Sequence, residues 1–382
     1  MIAVIADDIT GGAEIAGIGL RYGLRVVLST LSDIPCPDAD LWVVSTDSRS
    51  MCVEDAEKIT YHTVSNLTVG GIESIFKKTD SVLRGHVMAE LVAQLKAESK
   101  KKVVLCPANP ASGRIIMKGT YYIDGIPLHE TGFSKDPDFP AKSSAVKEIV
   151  GIESAKHPDI SIKDATSEED LKSAARLRNY ETILAGSAAF FAAFLEIMGH
   201  HTLTGKTIFP VLKNALFVRG SAFANSRKEV EKSAASGAYV TYLSPLIIDT
   251  PDCEKKINDY ASEVVAIMQK GENAILAIGE SALSGKEAAD KIKNLMSEVV
   301  CNIVSAVDVN DLVIEGGATT SAILYKLNFT QFIPTFEYAP GVVRMKIRSK
   351  DNIYITIKPG SYQFPEQIWN FKKNESNINV KK

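Results

Sequence analysis

Ile2-Ala-Val-Ile-Ala-Asp7-Asp8-Ile-Thr10-Gly11-Gly12-Ala13 opens on five apolar residues and then sets two carboxylates side by side. An apolar run without the alternation of a half-exposed strand suits a strand covered on both faces, as in parallel sheets. Thr10 is placed to cap a helix that starts near Ala13. Ligands of open parallel sheets dock beyond the carboxyl ends of the strands, so Asp7 and Asp8 stand where a ligand is met. The plainer role for one of them is to cap the helix.

The same unit recurs along the chain: a short β-branched run, a turn with Gly, Ser or Asp, then a helical stretch. In the first half the runs are Ile2–Ala6, Arg25–Ser29, Leu41–Ser45, Ile72–Lys77, Val103–Cys106 and Thr182–Ala185. In the second they are Ala215–Arg219, Tyr239–Leu243, Ala274–Ile278, Asp311–Ile314 and Ile353–Ile357. This alternation predicts an α/β protein. Its 382 residues exceed the roughly 250–300 at which single cores stop growing. Two domains are therefore expected, each a largely parallel sheet flanked by helices, with a ligand cleft between them. The polar break Gly199–Thr207, after the apolar helix Ala188–Met198, puts the boundary near 205, giving domains 1–205 and 206–382. Pro107–Lys142 is long and rich in Pro and Gly, and its Asp124-Gly125 turn between apolar flanks predicts a small inserted hairpin.

Composition narrows the partners. With 43 basic and 46 acidic side chains the net charge is −3, so there is no broad positive field for a nucleic acid. No stretch is long and apolar enough for a membrane span, and the start lacks the basic region of a signal peptide, so a cytoplasmic protein is expected. The five cysteines are scattered without a C-x-x-C pair, which indicates neither a disulfide framework nor zinc, and they are read as reduced thiols mostly in or near cores.

Three groups of residues carry chemistry. Lys77-Lys78-Thr79-Asp80-Ser81-Val-Leu-Arg84-Gly85 follows a strand and precedes the helix Val87–Glu98. A lysine, an acid, two hydroxyls and an arginine at such a turn suit an anionic, hydroxyl-bearing small molecule, with the arginine fork matched to a carboxylate. A solvated turn is the alternative. Thr46-Asp47-Ser48-Arg49, at another strand end, is placed to converge on the same site. In the second half Gly220-Ser221, Glu315-Gly316-Gly317-Ala318-Thr319-Thr320 and Lys358-Pro359-Gly360-Ser361 are turns whose backbone N–H groups suit phosphate oxygens.

Other patterns fail on inspection. Between Gly199 and Gly205 stand five residues, where a Walker A loop has four. Gly17-x-Gly19-x-x-x-Gly23 falls at a helix end, away from any strand-to-helix turn. His200-His201 and Lys100-Lys101-Lys102 read as surface residues.

Ala6-Asp-Asp-Ile-Thr-Gly-Gly-Ala13, Lys78-Thr-Asp-Ser-Val-Leu-Arg-Gly85, Cys106-Pro-Ala-Asn-Pro-Ala-Ser-Gly-Arg114, Gly125-Ile-Pro-Leu-His-Glu-Thr131 and Asp136-Pro137 resemble, in order and spacing, the four-carbon acid sugar kinase family. The second half resembles that family's nucleotide domain through Gly220-Ser221, Gly316-Gly317 and Lys358-Pro-Gly360. The resemblance implies an ATP- and Mg²⁺-dependent kinase of acids such as threonate or erythronate. Substrate-binding roles carry to Asp8, Arg49, Lys78, Thr79, Asp80 and Ser81, and the cluster adds Arg84. ATP-binding roles carry to Ser221, Gly316, Gly317, Ala318, Thr319 and Gly360. Asp8 or Asp80 is expected to orient or deprotonate the attacking hydroxyl; no metal-ligand set is identified, and a homodimer is the expected assembly. Ala318 stands where the family usually has an acidic residue, which leaves a sugar-acid sensor of the same fold as the alternative. An NAD(P)-dependent oxidoreductase is a more distant one.

Overall fold

The computed structural model describes residues 1–136, 139–151, 159–204, 208–220, 224–279, 286–350, 352–360 and 362–368. Contacts divide the chain into one unit of Met1–Lys206 with Thr330–Val343, and another of Thr207–Phe329 with Arg344–Lys382. Residues 205–207, where the sequence places the boundary, lie outside the described residues.

The first unit runs β1 (Ile2–Ala6), α1 (Ile9–Arg21), β2 (Val26–Ser29), β3 (Leu41–Ser45), α2 (Val53–Val69), β4 (Ser74–Lys78), α3 (Val87–Glu98) and β5 (Lys102–Cys106). A three-stranded insert follows, β6 (Arg114–Met117), β7 (Thr120–Ile123) and β8 (Ile126–Pro127), then α4 (Val146–Val150), β9 (Asp159–Ile162), α5 (Glu168–Ala175), β10 (Thr182–Gly186) and α6 (Ala188–Ile197). Its main sheet has the order β2-β3-β1-β4-β10-β5-β9 and is parallel throughout. All of β1 and β3 is buried, as their unbroken apolar runs require. Aligned register brings Ala6 level with Ser45 and Lys78, and Gly186 level with Lys78 and Cys106. The turns that follow these strands therefore emerge along one edge.

Helix α1 begins four residues earlier than the sequence suggested, because Asp8 is its cap: Gly11 N–H donates to Asp8 Oδ1 at 2.9 Å. Gly17 and Gly19 lie inside α1. A Cβ at Gly17 would stand 2.7 Å from Val343 Cγ2, and one at Gly19 would stand 2.6 Å from Leu41 Cδ2. Close packing of the helix explains these glycines without a dinucleotide.

The second unit contains β11 (Ala215–Arg219), α7 (Ala224–Ala235), β12 (Tyr239–Leu243), α8 (Cys253–Met268), β13 (Ala274–Ile278), α9 (Lys286–Ala306), β14 (Asp311–Glu315), α10 (Gly317–Leu327), most of β16 (Val342–Ile347) and β17 (Tyr354–Lys358), and β15 (Gln331–Ala339) lies between α10 and β16 in the chain. Its sheet runs β12-β13-β11-β14-β17-β16, with the first five strands parallel. β15 belongs to the first unit, where it adds an antiparallel edge beside β2. The sequence reading assigned this stretch to the second domain and saw no strand in it. A strand's partner is a long-range choice, and the chain position of Thr330–Val343 does not reveal it.

Among the described residues no helix is long and apolar enough to cross a membrane. All five cysteines are free, but only Cys106 is buried, and Cys36 and Cys52 are exposed.

Candidate functional site

Three turns at the carboxyl ends of β1, β3 and β4 meet around one guanidinium. Arg49 donates from Nε to Asp7 Oδ2 at 2.7 Å, while its Nη2 lies 2.8 Å from Asp8 Oδ1 and 3.5 Å from Asp80 Oδ1. The backbone aims it: Asp47 is left-handed at φ 52°, and Arg49 N–H bonds the Asp7 carbonyl at 3.2 Å. Gly85, at φ +87°, leaves room for the arginine, since a Cβ there would sit 3.3 Å from Arg49 Cγ.

Arg84 grips Asp80 in a fork, Nε to Oδ2 and Nη2 to Oδ1, both 2.9 Å, and reaches Asp136 Oδ2 in the inserted segment at 3.1 Å. Asp80 Oδ2 also accepts the backbone N–H groups of Val82 and Arg84 at 3.1 Å. These bonds hold the turn with Leu83 at φ 65°, a rare conformation for a bulky residue that needs such support. The insert is tied down again where Tyr121 OH donates to the Ser81 carbonyl.

Lys78 Nζ donates to the Thr79 carbonyl at 2.9 Å and lies 3.5 Å from Glu14 Oε2. It stands at the start of α1, 3.3 Å from where a Gly11 Cβ would be. A cavity of about 320 Å³ lies beside Glu14, walled by Ile18, Tyr22, Asn109, Ala189 and Glu196.

Thus Asp8, Arg49, Lys78, Thr79, Asp80, Ser81 and Arg84 fall in one cluster with Asp7, which the sequence placed at the strand end, with Asp136, which it quoted in a motif without a role, and with Glu14, which it did not single out. The five carboxylates Asp7, Asp8, Glu14, Asp80 and Asp136 meet the three cations Arg49, Lys78 and Arg84. Ionised, the group is not an excess of positive charge, and the sign of each local surface depends on which donors remain free.

Burial opposes ionisation of Asp80, but Arg49 and Arg84 outweigh it and hold the carboxyl well below the usual range. Asp8 is also lowered: Arg49, the Thr10 hydroxyl and Lys78 overcome its burial. The carboxylates differ in spare capacity. Each offers about four acceptor positions. Asp80 has filled its own, Asp8 accepts from Gly11, Arg49 and Thr10, and Asp7 Oδ1 is buried with no hydrogen-bond partner.

In the second unit Arg219, Glu315 and Lys358 stand in register at the ends of β11, β14 and β17, all three buried. Glu315 pairs with Arg219 through Oε2 and with Lys358 through Oε1, the latter at 2.8 Å, and Ser226 Oγ donates to it at 2.7 Å. Burial pulls the Lys358 ammonium down despite Glu315. Phe364 closes the cluster, 4.7 Å from the Arg219 guanidinium carbon and 4.9 Å from Lys358 Nζ.

Above this layer the glycine turns converge. Gly316, at φ +98°, caps α10 without a side chain and donates its N–H to the Lys358 carbonyl at 2.9 Å. A Cβ on Gly220 would fall 2.4 Å from Thr319 Oγ1, so only glycine admits this approach. Gly317 and the exposed Ala318 follow in the first turn of α10, and Gly360 lies just past β17. Bare N–H groups at such a helix start suit phosphate oxygens. Ser221 lies outside the described residues. No group of three or more His, Cys, Asp or Glu suited to a metal occurs among the described residues.

Two family models match the chain: a sugar-binding N-terminal domain over residues 2–162 and a nucleotide-binding C-terminal domain over residues 216–362. A D-threonate kinase of Salmonella typhimurium is 26% identical, covering 89% of each chain. A 3-oxo-tetronate kinase of Brucella melitensis is 24% identical over 94% of this chain and 92% of its own. A D-erythronate kinase of Heliobacterium modesticaldum is 25% identical over 82% and 64%. Solved structures share the fold: a Salmonella typhimurium protein with TM-score 0.78 at 18% identity, covering 96% and 97%, and a Haemophilus influenzae protein with TM-score 0.70 at 21%, covering 96% and 98%. With its sugar-binding and nucleotide-binding parts in that order and relatives of these names matched along most of its length, the chain belongs to the four-carbon acid sugar kinase family.

Proposed function

We propose that the protein transfers the γ-phosphoryl group of ATP to a hydroxyl of a four-carbon sugar acid. The observation that carries this reading is the Asp7–Asp8–Arg49–Lys78–Asp80 cluster at the strand ends of a unit matching a sugar-binding domain. Arg49 and Lys78 hold the carboxylate and hydroxyls of the acid, with Thr79 and Ser81 on the same turn. Arg84 contributes through the turn it braces, since its fork is committed to Asp80.

Transfer needs an oriented hydroxyl more than a strong base, because phosphoryl transfer depends mainly on positioning and charge stabilisation. Asp8 has a spare acceptor position for that hydroxyl, with Asp7 beside it. Asp80, saturated and held ionised, serves to fix Arg49 and Arg84. The nucleotide phosphates rest on the start of α10, bounded by Gly220, Gly316–Thr319 and Gly360. Mg²⁺ bound with the nucleotide would supply neutralisation of phosphate charge there, and no set of protein ligands for it is identified among the described residues.

The test is ADP release with Mg-ATP over both enantiomers of threonate and erythronate and over 3-oxo-tetronate, with the phosphorylated position read by NMR. Stimulation by one acid is expected, and failure of the whole panel would sink the reading. The sensor alternative rests on the exposed Ala318 at the helix start. Calorimetry separates it: a sensor takes up acid without ATP.

A further inference from the structure

We infer that Lys77, Glu90 and Ser48 form a buried positioning relay that sets the place of Arg49 against Lys78 and Asp80. This deepens the acid-binding reading above and rests on it. Lys77 Nζ and Glu90 Oε2 are 2.9 Å apart, with side-chain exposures of 0% and 2%. Glu90 Oε1 accepts the hydroxyl proton of Ser48, whose Oγ lies 2.8 Å from Thr46 Oγ1. With the Ser48 proton on Glu90, Thr46 Oγ1 donates to Ser48, and it is the Thr46 backbone N–H that donates to the Ala6 carbonyl, at 2.9 Å.

The topology explains what this chain of contacts does. Lys77 lies one residue before the end of β4, Glu90 lies in the first turn of α3, and between them runs the turn that carries Asp80 and Arg84. The ion pair closes that turn at its base. Adjacent strand residues point to opposite faces, so anchoring Lys77 on one face fixes Lys78 on the other. Ser48 then fastens the next element, because it immediately precedes Arg49 in the turn after β3. Through Thr46 and Ala6 the relay also touches the strand end that bears Asp7 and Asp8. One buried carboxylate thus ties together the three turns that build the site, yet it contacts none of the residues assigned to the acid.

Stability is a weak reason to keep such a pair, since well-packed apolar residues in place of buried ions are often neutral or stabilising. That property supplies the test. K77M/E90L removes both charges together, S48A removes only the link to the Arg49 turn, and K77M/E90Q restores an uncharged acceptor for Ser48. The first readout is hydrogen exchange at Arg49 Nε–H by NMR, assigned with Arg49→Lys, and it requires no substrate. The second is steady-state kinetics.

Slow exchange is expected in the native protein, fast exchange in S48A and K77M/E90L, and recovery in K77M/E90Q. The KM for the acid should rise about 10–100-fold in the first two while that for ATP stays within about twofold, as small misplacements do in oriented sites. K77M/E90L should melt near the native temperature. Native-like exchange in that variant, or a parallel rise of both KM values with a lowered melting temperature, would overturn the relay. If no four-carbon acid is phosphorylated, the functional reading falls, and the exchange measurement still decides the positioning role.

Discussion

Arg84 holds Asp80 through two parallel hydrogen bonds of 2.9 Å, and the same carboxylate accepts two backbone N–H groups from its own turn. A carboxylate bound in this way is a structural clamp with little capacity to take a proton. Its neighbours differ: Asp8 retains an acceptor position, and Asp7 Oδ1 has no hydrogen-bond partner. On the proposed mechanism, Asp8→Asn should lower kcat by about 10²–10⁴, the range for loss of a group acting on the reacting proton. Asp80→Asn should act chiefly on the KM for the acid. Steady-state kinetics with both substrates varied will distinguish them, and an unchanged kcat in Asp8→Asn would remove it from the reaction.

The same pairing sets the acid stability of the first unit. The folded forms of Asp8 and Asp80 ionise below the ordinary carboxyl value of 3.8. Groups of this kind contribute stability that is present above their unfolded pKa and is lost as pH falls toward the folded one. Urea midpoints should therefore fall as the pH drops below about 4. Asp80→Asn should be less stable at neutral pH and show a flatter acid limb. An identical slope in the variant would contradict this.

Gly220→Ala tests the second unit alone. The new Cβ would press on Thr319 Oγ1 at 2.4 Å and push apart the turn after β11 and the start of α10. Weaker ATP binding with unaltered acid binding is expected by calorimetry. Equal loss of both ligands would point to a general folding defect.

Glu315→Gln should cost far more than a surface substitution. It leaves Arg219 and Lys358, both buried, without the carboxylate between them. Breaking a buried ion pair from one side typically costs about 3–5 kcal/mol. Thermal unfolding will show this, and a shift no larger than that of an exposed control such as Lys228→Gln would refute it.

Much of this architecture is written locally. The unbroken apolar runs at Ile2–Ala6 and Leu41–Ser45 mark strands covered on both faces, and the polar turns after them mark the site edge. The hairpin at Asp124-Gly125 was legible from its turn residues. β15 was not, because Gln331–Ala339 alternates buried and exposed residues and owes its place to β2, about 300 residues away. Nor were Glu90 and Phe364 legible, since nothing in the residues around them says what they face, and Asp136 was visible as part of a motif but not as the partner of Arg84.

Residue types and spacing sufficed for the fold class and the strand-end turns, and the motifs at those turns carried the resemblance to the family. Which donors are free and which are spent was decided only by the tertiary structure. Arg84 and Arg49 look alike as cations in a polar turn, yet Arg84 commits Nε, Nη1 and Nη2 to Asp80 and Asp136, whereas the carboxylates around Arg49 are met through its Nε and Nη2. Hydrogen-bond capacity is consumed across the ends of separate strands, and the parallel register that aligns those ends joins residues far apart in the chain.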